Sequence, residues 1–343
     1  MTAGLKVLAP GLHTTVQDLG RPGHQAIGVP VSGALDGVSL RLANALVGNS
    51  AGAAALEVLI SGAIFKVAAE TVRVALAGAG ASLAIGGEKV RVDAGQSVTL
   101  PGGETVEVVV GRQSACCYLA VEGGIAVPPV LGSTSTYVRA ALGGLNGRAL
   151  RGGDFVSLAV ARASERAEVC FSSPIEATAD QPIRVVLGPQ QEYFTEEALA
   201  TLLSAEFRIS QSADRMGMRL DGPLLRLRRG WDIVSDAIVT GAIQVPGSGQ
   251  PILLLADHQT TGGYPKIATV VSADLPVVGR RGPGDALRFA AVTVEAAEEL
   301  CRAAERHLAD LAGSLEPISP RPGIDLGSLY DGNLISGVVS GLD

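Results

Sequence analysis

Residues 252–270 read ILLLADHQTTGGYPKIATV. Two apolar runs suited to core strands flank a loop that holds Asp257, His258, Gln259, Thr260, Thr261, Gly262, Gly263 and Tyr264. In a chain with 3% aromatic residues and 4 histidines, that concentration asks for a chemical reason. Asp257 or His258 can move a proton. Gln259, Thr260 and Thr261 supply neutral donors and acceptors suited to an amide or a lactam, and Tyr264 can cover one face of a small planar ring. The tandem glycines let the backbone turn sharply or approach a ligand closely. The plainer alternative is a self-bonded turn that only closes the β-structure, with Asp257 and His258 a chance pair.

Three further polar, Gly-rich loops have no evident core role. The first, TTVQDLGRPGHQAIGVPVSGALD at 14–36, carries Gln17, Asp18, Arg21, His24, Ser32 and Asp36. Arg21 offers a planar fork for a carboxylate or phosphate, and Asp18 can orient it or take a proton; equally, the two can pair to brace the loop. The second spans 123–150, where Ser, Thr and Gly can present hydroxyl and amide donors to an oxyanion or simply make turns. The third is SADRMGMRLDG at 212–222, whose Arg215 and Arg219 are further anion-binding candidates or plain solvated charges.

Other motifs fail on context. Gly48-Asn49-Ser50-Ala51-Gly52 matches the GxSxG pattern of a hydrolase elbow, which requires a strand before it and a helix after it. Here the periodicity places a helix before it. Gly78-Ala79-Gly80 is too short for a dinucleotide fingerprint, and no GxxxxGK[ST] occurs. Cys116, Cys117, Cys170 and Cys301 form no CxxC and have no histidine at metal-ligand spacing, so reduced, mostly buried thiols are expected.

The elements that must position these loops are mostly strands. With 44 Gly and 18 Pro scattered between short β-branched runs, strand and turn dominate. SLAIGGEKVRVD at 82–93 predicts a hairpin with a two-residue turn at Gly86-Gly87. Short strands are predicted at 71–77, 97–100, 104–110, 115–121, 183–187, 206–210, 252–256 and 267–272. So many short strands are best satisfied by closed barrels, which leave no unpaired edge. Three helices interrupt them: one capped by Asp36 and ended near Gly48, one capped by Thr195, and one over 293–313. The echo between GRALRGGDFVSL and GRRGPGDALRF is compatible with two related halves or with chance. At 343 residues, with 47% hydrophobic, two cores are the default. The expected division is an N-terminal barrel over 1–165, a C-terminal barrel over 180–313 and a Pro-containing linker and tail over 314–343.

Charge and hydropathy exclude some partners. There are 27 basic against 34 acidic residues, a net of −7, and no Lys/Arg stripe, so nucleic-acid binding is not expected. No apolar run reaches the ~18 residues of a membrane helix and the N-terminus lacks a signal-like apolar segment, so the expectation is a cytoplasmic protein off the membrane.

Taken in order, TVQDLGRPGHQAIGVPVSGALD with ANALVGN, GGIAVPPVLGSTSTY, DRMGMRLDG, and GAIQVPGSGQPILLLADHQTTGGYPKIATV with SADLP resemble the biotin-dependent carboxyltransferase family. Its members include the C subunit of 5-oxoprolinase, urea amidolyase-related proteins of the allophanate hydrolase subunit 2 type, and a bacterial antagonist of a kinase inhibitor. The resemblance spans about residues 5–290 and implies a mainly β fold of two cyclophilin-like β-barrel domains. The stand-alone length is similar to that of the oxoprolinase component. That implies an ATP-dependent hydrolase, active only in a heteromeric complex with a homologous B-type subunit and an amidohydrolase-like A-type subunit. Such a complex opens 5-oxo-L-proline to L-glutamate, with ATP and Mg2+ used at the level of the complex and no tightly bound cofactor in this chain. Asp18, Asp257 and His258 are then the catalytic candidates. Gln17, Arg21, Arg215, Gln244, Gln259, Thr260, Thr261, Gly262, Gly263 and Tyr264 are the candidates for binding the amide or lactam substrate. The family leaves two alternatives open: a carboxyltransferase acting on a urea-like amide, and a non-catalytic regulator that binds a kinase-inhibitor-like partner.

Overall fold

In the computed structural model, residues 3–87, 89–111, 114–172, 181–230 and 232–318 are described. The strands fall into two systems. In the first, a six-stranded antiparallel sheet runs in the order Phe155–Ser157, Gly4–Ala9, Ile64–Ala68, Thr105–Val109, Ser82–Ile85, Val90–Asp93. It faces a five-stranded sheet ordered His13–Gln17, Ala55–Leu59, Cys116–Val121, Thr71–Ala77, Ser97–Pro101. Leu5, Val7, Phe65, Leu83 and Val106 from one sheet meet Val16, Leu56, Val74, Leu76 and Leu119 from the other in a single buried cluster. Alternation toward that core explains the period-two spelling of Ile64–Ala68 and Thr105–Val109 in the six-stranded sheet.

The five-stranded sheet is buried on its second face as well. Helix α1, Gly37–Leu46, lays Leu42, Ala43 and Leu46 over Ala55, Ala75, Tyr118 and Ala120. A strand covered on both sides reads as a continuous apolar run, as CCYLAV does.

The second system is one eight-stranded sheet that nearly closes on itself. Its order is Ala286–Leu287, Phe207–Ala213, Gly217–Asp221, Ile252–Leu254, Ala242–Gln244, Lys266–Val270, Ile183–Leu187, Phe289–Ala291. The first and last members are separated only by Arg288, so one segment pairs with both sides: Leu287 with Phe207, and Phe289 with Ile183. Closure removes the free edge, and the barrel-like, mainly β fold expected from the turn spacing is the one observed. The core of this sheet is built from Val185, Phe207, Ile209, Leu220, Ile243, Leu253, Ile267 and Phe289. It is distinct from the N-terminal core, whose last member is Leu158.

The three expected helices are present, with the expected caps. Asp36 accepts from Val38 N at 3.1 Å and Ser39 N at 3.0 Å, and Thr195 Oγ1 accepts from Ala198 N at 3.1 Å at the start of α2, Glu196–Ser204. A fourth, short helix, α3, Leu275–Gly279, carries Pro276 in its first turn, where proline's missing N–H costs nothing. Its five residues gave too short a periodic signal to read. The last helix, α4, Val294–Gly313, packs back onto the first system, where Leu308 joins the α1 cluster and Glu305 pairs with Arg41 at 2.8 Å. The following strand Leu315–Pro317 pairs with Val169–Phe171. The boundary stretch at 173–180 and most of the expected tail lie outside the described residues.

The hairpin at 82–93 is real, but its loop is longer than expected. Ile85 pairs with Val90, which leaves a four-residue loop, and Gly86 and Gly87 take φ of 63° and 69°. Ser50 sits exposed in the turn after α1, so the GxSxG match has the helix on the wrong side for an elbow.

Asp36 does more than cap α1. Arg280, from beyond α3, donates to its Oδ2 at 2.6 Å, tying the eight-stranded barrel to the helix on the other system. Asp36→Ala therefore removes a cap and leaves a buried guanidinium without its carboxylate. The expected loss in urea unfolding is about 3–5 kcal/mol; a loss under about 1 kcal/mol would mean that water already satisfies Arg280.

Candidate functional site between the two sheet systems

The site begins with a charge in an apolar strand. Glu57 lies in ALEVL, and its direct cross-strand neighbours Thr15 and Tyr118 put it on the face turned away from the N-terminal core. There it is fully buried and meets Arg215, which arrives from the turn between Phe207–Ala213 and Gly217–Asp221. Arg215 also donates from Nε to Asp257 Oδ2 at 2.9 Å, and from Nη2 to Asp257 Oδ1 at 3.2 Å and the Gly33 carbonyl at 2.5 Å. Ser32 Oγ donates to Asp257 Oδ1 at 2.5 Å. Tyr118 Oη donates to Glu57 Oε2 at 2.6 Å and accepts from Asp36 N at 2.9 Å.

Each member of this network satisfies another, which is what burial of charge requires. Burial by itself works against the Arg215 charge, but Glu57 and Asp257 outweigh it and lift its pKa above that of ordinary arginine. Burial and Glu57 likewise push the Tyr118 hydroxyl far up, so it stays protonated and keeps donating.

Beside this network opens a cleft of about 540 Å³. The first system contributes Leu12, His13, Leu59, Ile60, Tyr137, Val138 and Arg139; the eight-stranded barrel contributes Ala213, Asp214, Arg215, Met216 and Asp257. Its walls are mainly apolar and its polar groups few, the usual make-up of a small-molecule site.

The expected site residues divide into three places. Arg215 and Asp257 line the cleft. Gln17, Asp18 and Arg21 sit behind it, buried, and brace the 130–136 loop rather than face solvent. Asp18 accepts from Gly20 N, Ser133 Oγ, Ser135 Oγ, and the Thr134 backbone and hydroxyl. Burial would raise its pKa, yet those donors hold it below the usual carboxylate range. Arg21 donates to the carbonyls of Val130 and Ser135, not to Asp18, so the expected Asp18–Arg21 pair does not form as a direct contact. Gln17 donates to Thr15 Oγ1 at 3.0 Å and the Thr136 carbonyl at 3.1 Å.

The remaining candidates form a rim on the eight-stranded barrel. Thr261–Gly262 pairs with Asp236–Ala237, while the Thr260 and Gly263 carbonyls accept from Ile238 N and Ile233 N. Gln244 reaches the Tyr264 carbonyl at 3.4 Å and accepts from Gln259 at 3.5 Å. The loop is thus largely self-bonded. The two glycines also differ: a Cβ on Gly262 would lie 2.5 Å from Ile238 and 2.7 Å from Gln244, whereas Gly263 has room for one. The close approach made by Gly262 is to the protein itself.

His258 is separated from its neighbour in role. Its Nδ1 lies 2.6 Å from the Gln259 carbonyl and its Nε2 3.2 Å from Thr240 Oγ1, and it does not line the cleft. Both of its nitrogens are thus taken up by loop and Thr240 groups, and it braces the loop. Glu57, Tyr118, His13 and Arg139 were not among the candidates taken from the sequence. Only Glu57 gave a signal, as a lone charge inside an apolar strand.

Two measurements test this geometry. Arg215→Met leaves Glu57 and Asp257 buried without their shared cation, so unfolding free energy should fall by about 3–5 kcal/mol; a change below about 1 kcal/mol would show that the network does not join the two systems. The second uses pH. Burial holds His258 below its ordinary pKa, with its carbonyl bond and Asp257 opposing only in part, and burial with the Arg215 charge lowers His13. The unfolded chain therefore binds protons first as pH falls below about 6.5, and stability declines from there toward the folded values. His258→Asn should lose less Tm than the parent between about pH 7.5 and about pH 5.5; an equal loss would contradict a neutral buried imidazole.

The family model described as carboxyltransferase domain, subdomain A and B, matches residues 27–291. The chain is similar to the C subunit of 5-oxoprolinase from Escherichia coli (strain K12), 34% identical over 311 residues that cover 91% of this chain and 98% of that protein. It is similar to the urea amidolyase of Saccharomyces cerevisiae, 30% identical over 331 residues, 90% of this chain but 18% of that one. The crystal structure of the Kluyveromyces lactis urea carboxylase is similar with a TM-score of 0.81 at 30% identity, over 93% of this chain and 30% of that chain. This chain therefore spans less than a third of either urea enzyme. The match takes in most of both sheet systems together with Arg215 and Asp257, and the chain belongs to the carboxyltransferase domain, subdomain A and B, family.

Proposed function

We propose that this chain is the C subunit of an ATP-dependent 5-oxoprolinase complex. With its partners it opens the lactam of 5-oxo-L-proline with water to give L-glutamate, while ATP becomes ADP and phosphate. One observation carries the reading: the similarity to the C subunit of 5-oxoprolinase runs over 98% of that protein's length. A component of this kind needs partners by definition, and the reading assigns a homologous B-type subunit and an amidohydrolase-like A-type subunit. ATP with Mg2+ is a substrate of the assembled complex, and no residue of this chain is assigned to it.

Within this chain the reaction is placed in the cleft between the two sheet systems. Asp257 lines the cleft with a carboxylate that Arg215 and Ser32 hold in place, and its remaining acceptor capacity is assigned to a substrate N–H. The apolar wall excludes bulk water from a ring lying against Tyr137. Gln259 and Tyr264 on the barrel rim are proposed to face a partner protein rather than the lactam.

A second reading, carboxyl transfer to a urea-like amide from a biotin carrier, is supported by the TM-score of 0.81 to a urea carboxylase. The two are separated by co-expressing the chain with its B-type and A-type partners and assaying the purified complex. Oxoprolinase activity predicts glutamate release from 5-oxoproline that requires MgATP. No release, together with urea-dependent decarboxylation of a carboxybiotin carrier, would overturn it in favour of the second reading.

A further inference from the structure

If the cleft holds the lactam, its other polar contacts have to come from groups that the protein has not already used. Arg215 spends Nε, Nη1 and Nη2 on Asp257, Glu57 and Gly33. Arg21 is 1% exposed, puts Nε and Nη2 on loop carbonyls, keeps Nη1 buried without a partner, and does not line the cleft. Arg215 cannot clamp a substrate carboxylate without stranding a buried carboxylate or carbonyl, and Arg21 is not at the cleft. Where the barrel lines the cleft, Asp257 and Asp214 also outnumber Arg215, so an anionic group is disfavoured there.

The lip is different. Arg139 lies on the 3-10 turn Val138–Ala140, is exposed, and lines the cleft. It reaches the Met216 sulfur at 2.8 Å, a weak acceptor, and among the described residues no carboxylate pairs with it. The turn is fixed: Ala141 follows in the left-handed region at φ 51°, uncommon for a residue with a Cβ. Deeper in, His13 opens the strand His13–Gln17 opposite Leu59 and lines the same cleft, and its Nδ1 is buried with no partner.

We infer that Arg139 and His13 are the two specificity contacts of the cleft, Arg139 taking the ligand's carboxylate at the lip and His13 hydrogen-bonding its neutral amide inside. This rests on the oxoprolinase reading and names the substrate class it requires: a small ring bearing both a carboxylate and a lactam. The planar guanidinium suits a bidentate carboxylate. Burial and the nearby Arg215 charge keep His13 neutral at pH 7, despite Glu57, Asp257 and Asp214, so the ring offers one N–H and one lone pair. That combination matches an amide and repels neither end of it.

The test uses the assembled complex with two probes, 5-oxoproline and 2-pyrrolidone, which has the lactam and lacks the carboxylate. R139Q should raise KM for 5-oxoproline at least tenfold with kcat within about threefold, leave 2-pyrrolidone binding unchanged, and be partly restored by R139K. His13→Leu should weaken both probes, and His13→Gln should recover part of the loss, with melting temperatures checked for each variant. Equal effects of R139Q on the two probes, or none, would overturn the assignment. If the parent releases no glutamate, the function proposed above fails, and calorimetric binding of the two probes to the full chain decides this one. Carboxylate-dependent binding lost in R139Q supports it, and no binding of 5-oxoproline sinks it.

Discussion

A guanidinium removed from water has to be met by carboxylates already in position, and the two sheet systems are joined by that requirement. Arg215 belongs to the eight-stranded sheet by its turn, Glu57 to the five-stranded sheet by its strand, and the two are 158 positions apart. Asp257 completes the pair from the end of the strand Ile252–Leu254, and Ser32 and Gly33 of the 14–36 loop close over it. Separating the systems would break the Arg215–Glu57 pair, the Arg215 bond to the Gly33 carbonyl and the Ser32 bond to Asp257 together. These directional bonds fix how the two systems meet, a role that apolar burial, being non-directional, does not fill by itself. The Arg280–Asp36 pair adds a second directional tie close by and links it to the cap of α1.

The same network shapes the cleft. By consuming its own cations it makes the floor polar, crowded and unsuited to anions, and it leaves an apolar wall with sparse uncommitted groups at the edges. A buried ion pair is weak evidence for stability by itself. Here its evident consequence is geometric: Asp257 is held by both Arg215 and Ser32, so a carboxylate oxygen is presented at a fixed place between two rigid sheet systems. Sites assembled at such junctions gain precision from the sheets behind them rather than from flexible loops.

Much of the fold was legible because its signals are local. Turn glycines, period-two strands and the Asp36 and Thr195 caps each depend on a few neighbouring residues, and they appear where expected. The hairpin loop has four residues where two were expected because Gly86-Gly87 marks positive φ without fixing register. The site was legible only in part. ADHQ looks like one chemical unit, yet the strand's end sends Asp257 to the cleft and folds His258 onto Thr240 and its own loop. Asp18 and Arg21 were read either as a catalytic and a binding group or as a pair that braces its own loop, and each instead bonds separately to the 130–136 loop. What pairs Glu57 with Arg215, or brings His13 and Arg139 to one cleft, is tertiary structure, for which a single sequence carries no periodic or spacing signal.

Ligand should bind between the two sheet systems and not at the rim of the eight-stranded barrel. Hydrogen–deuterium exchange of the assembled complex, with and without 5-oxoproline, tests this most directly. New protection is expected at residues 12–13, 137–139 and 213–216, on both systems together. Protection confined to 236–264, with those three segments unchanged, would contradict it.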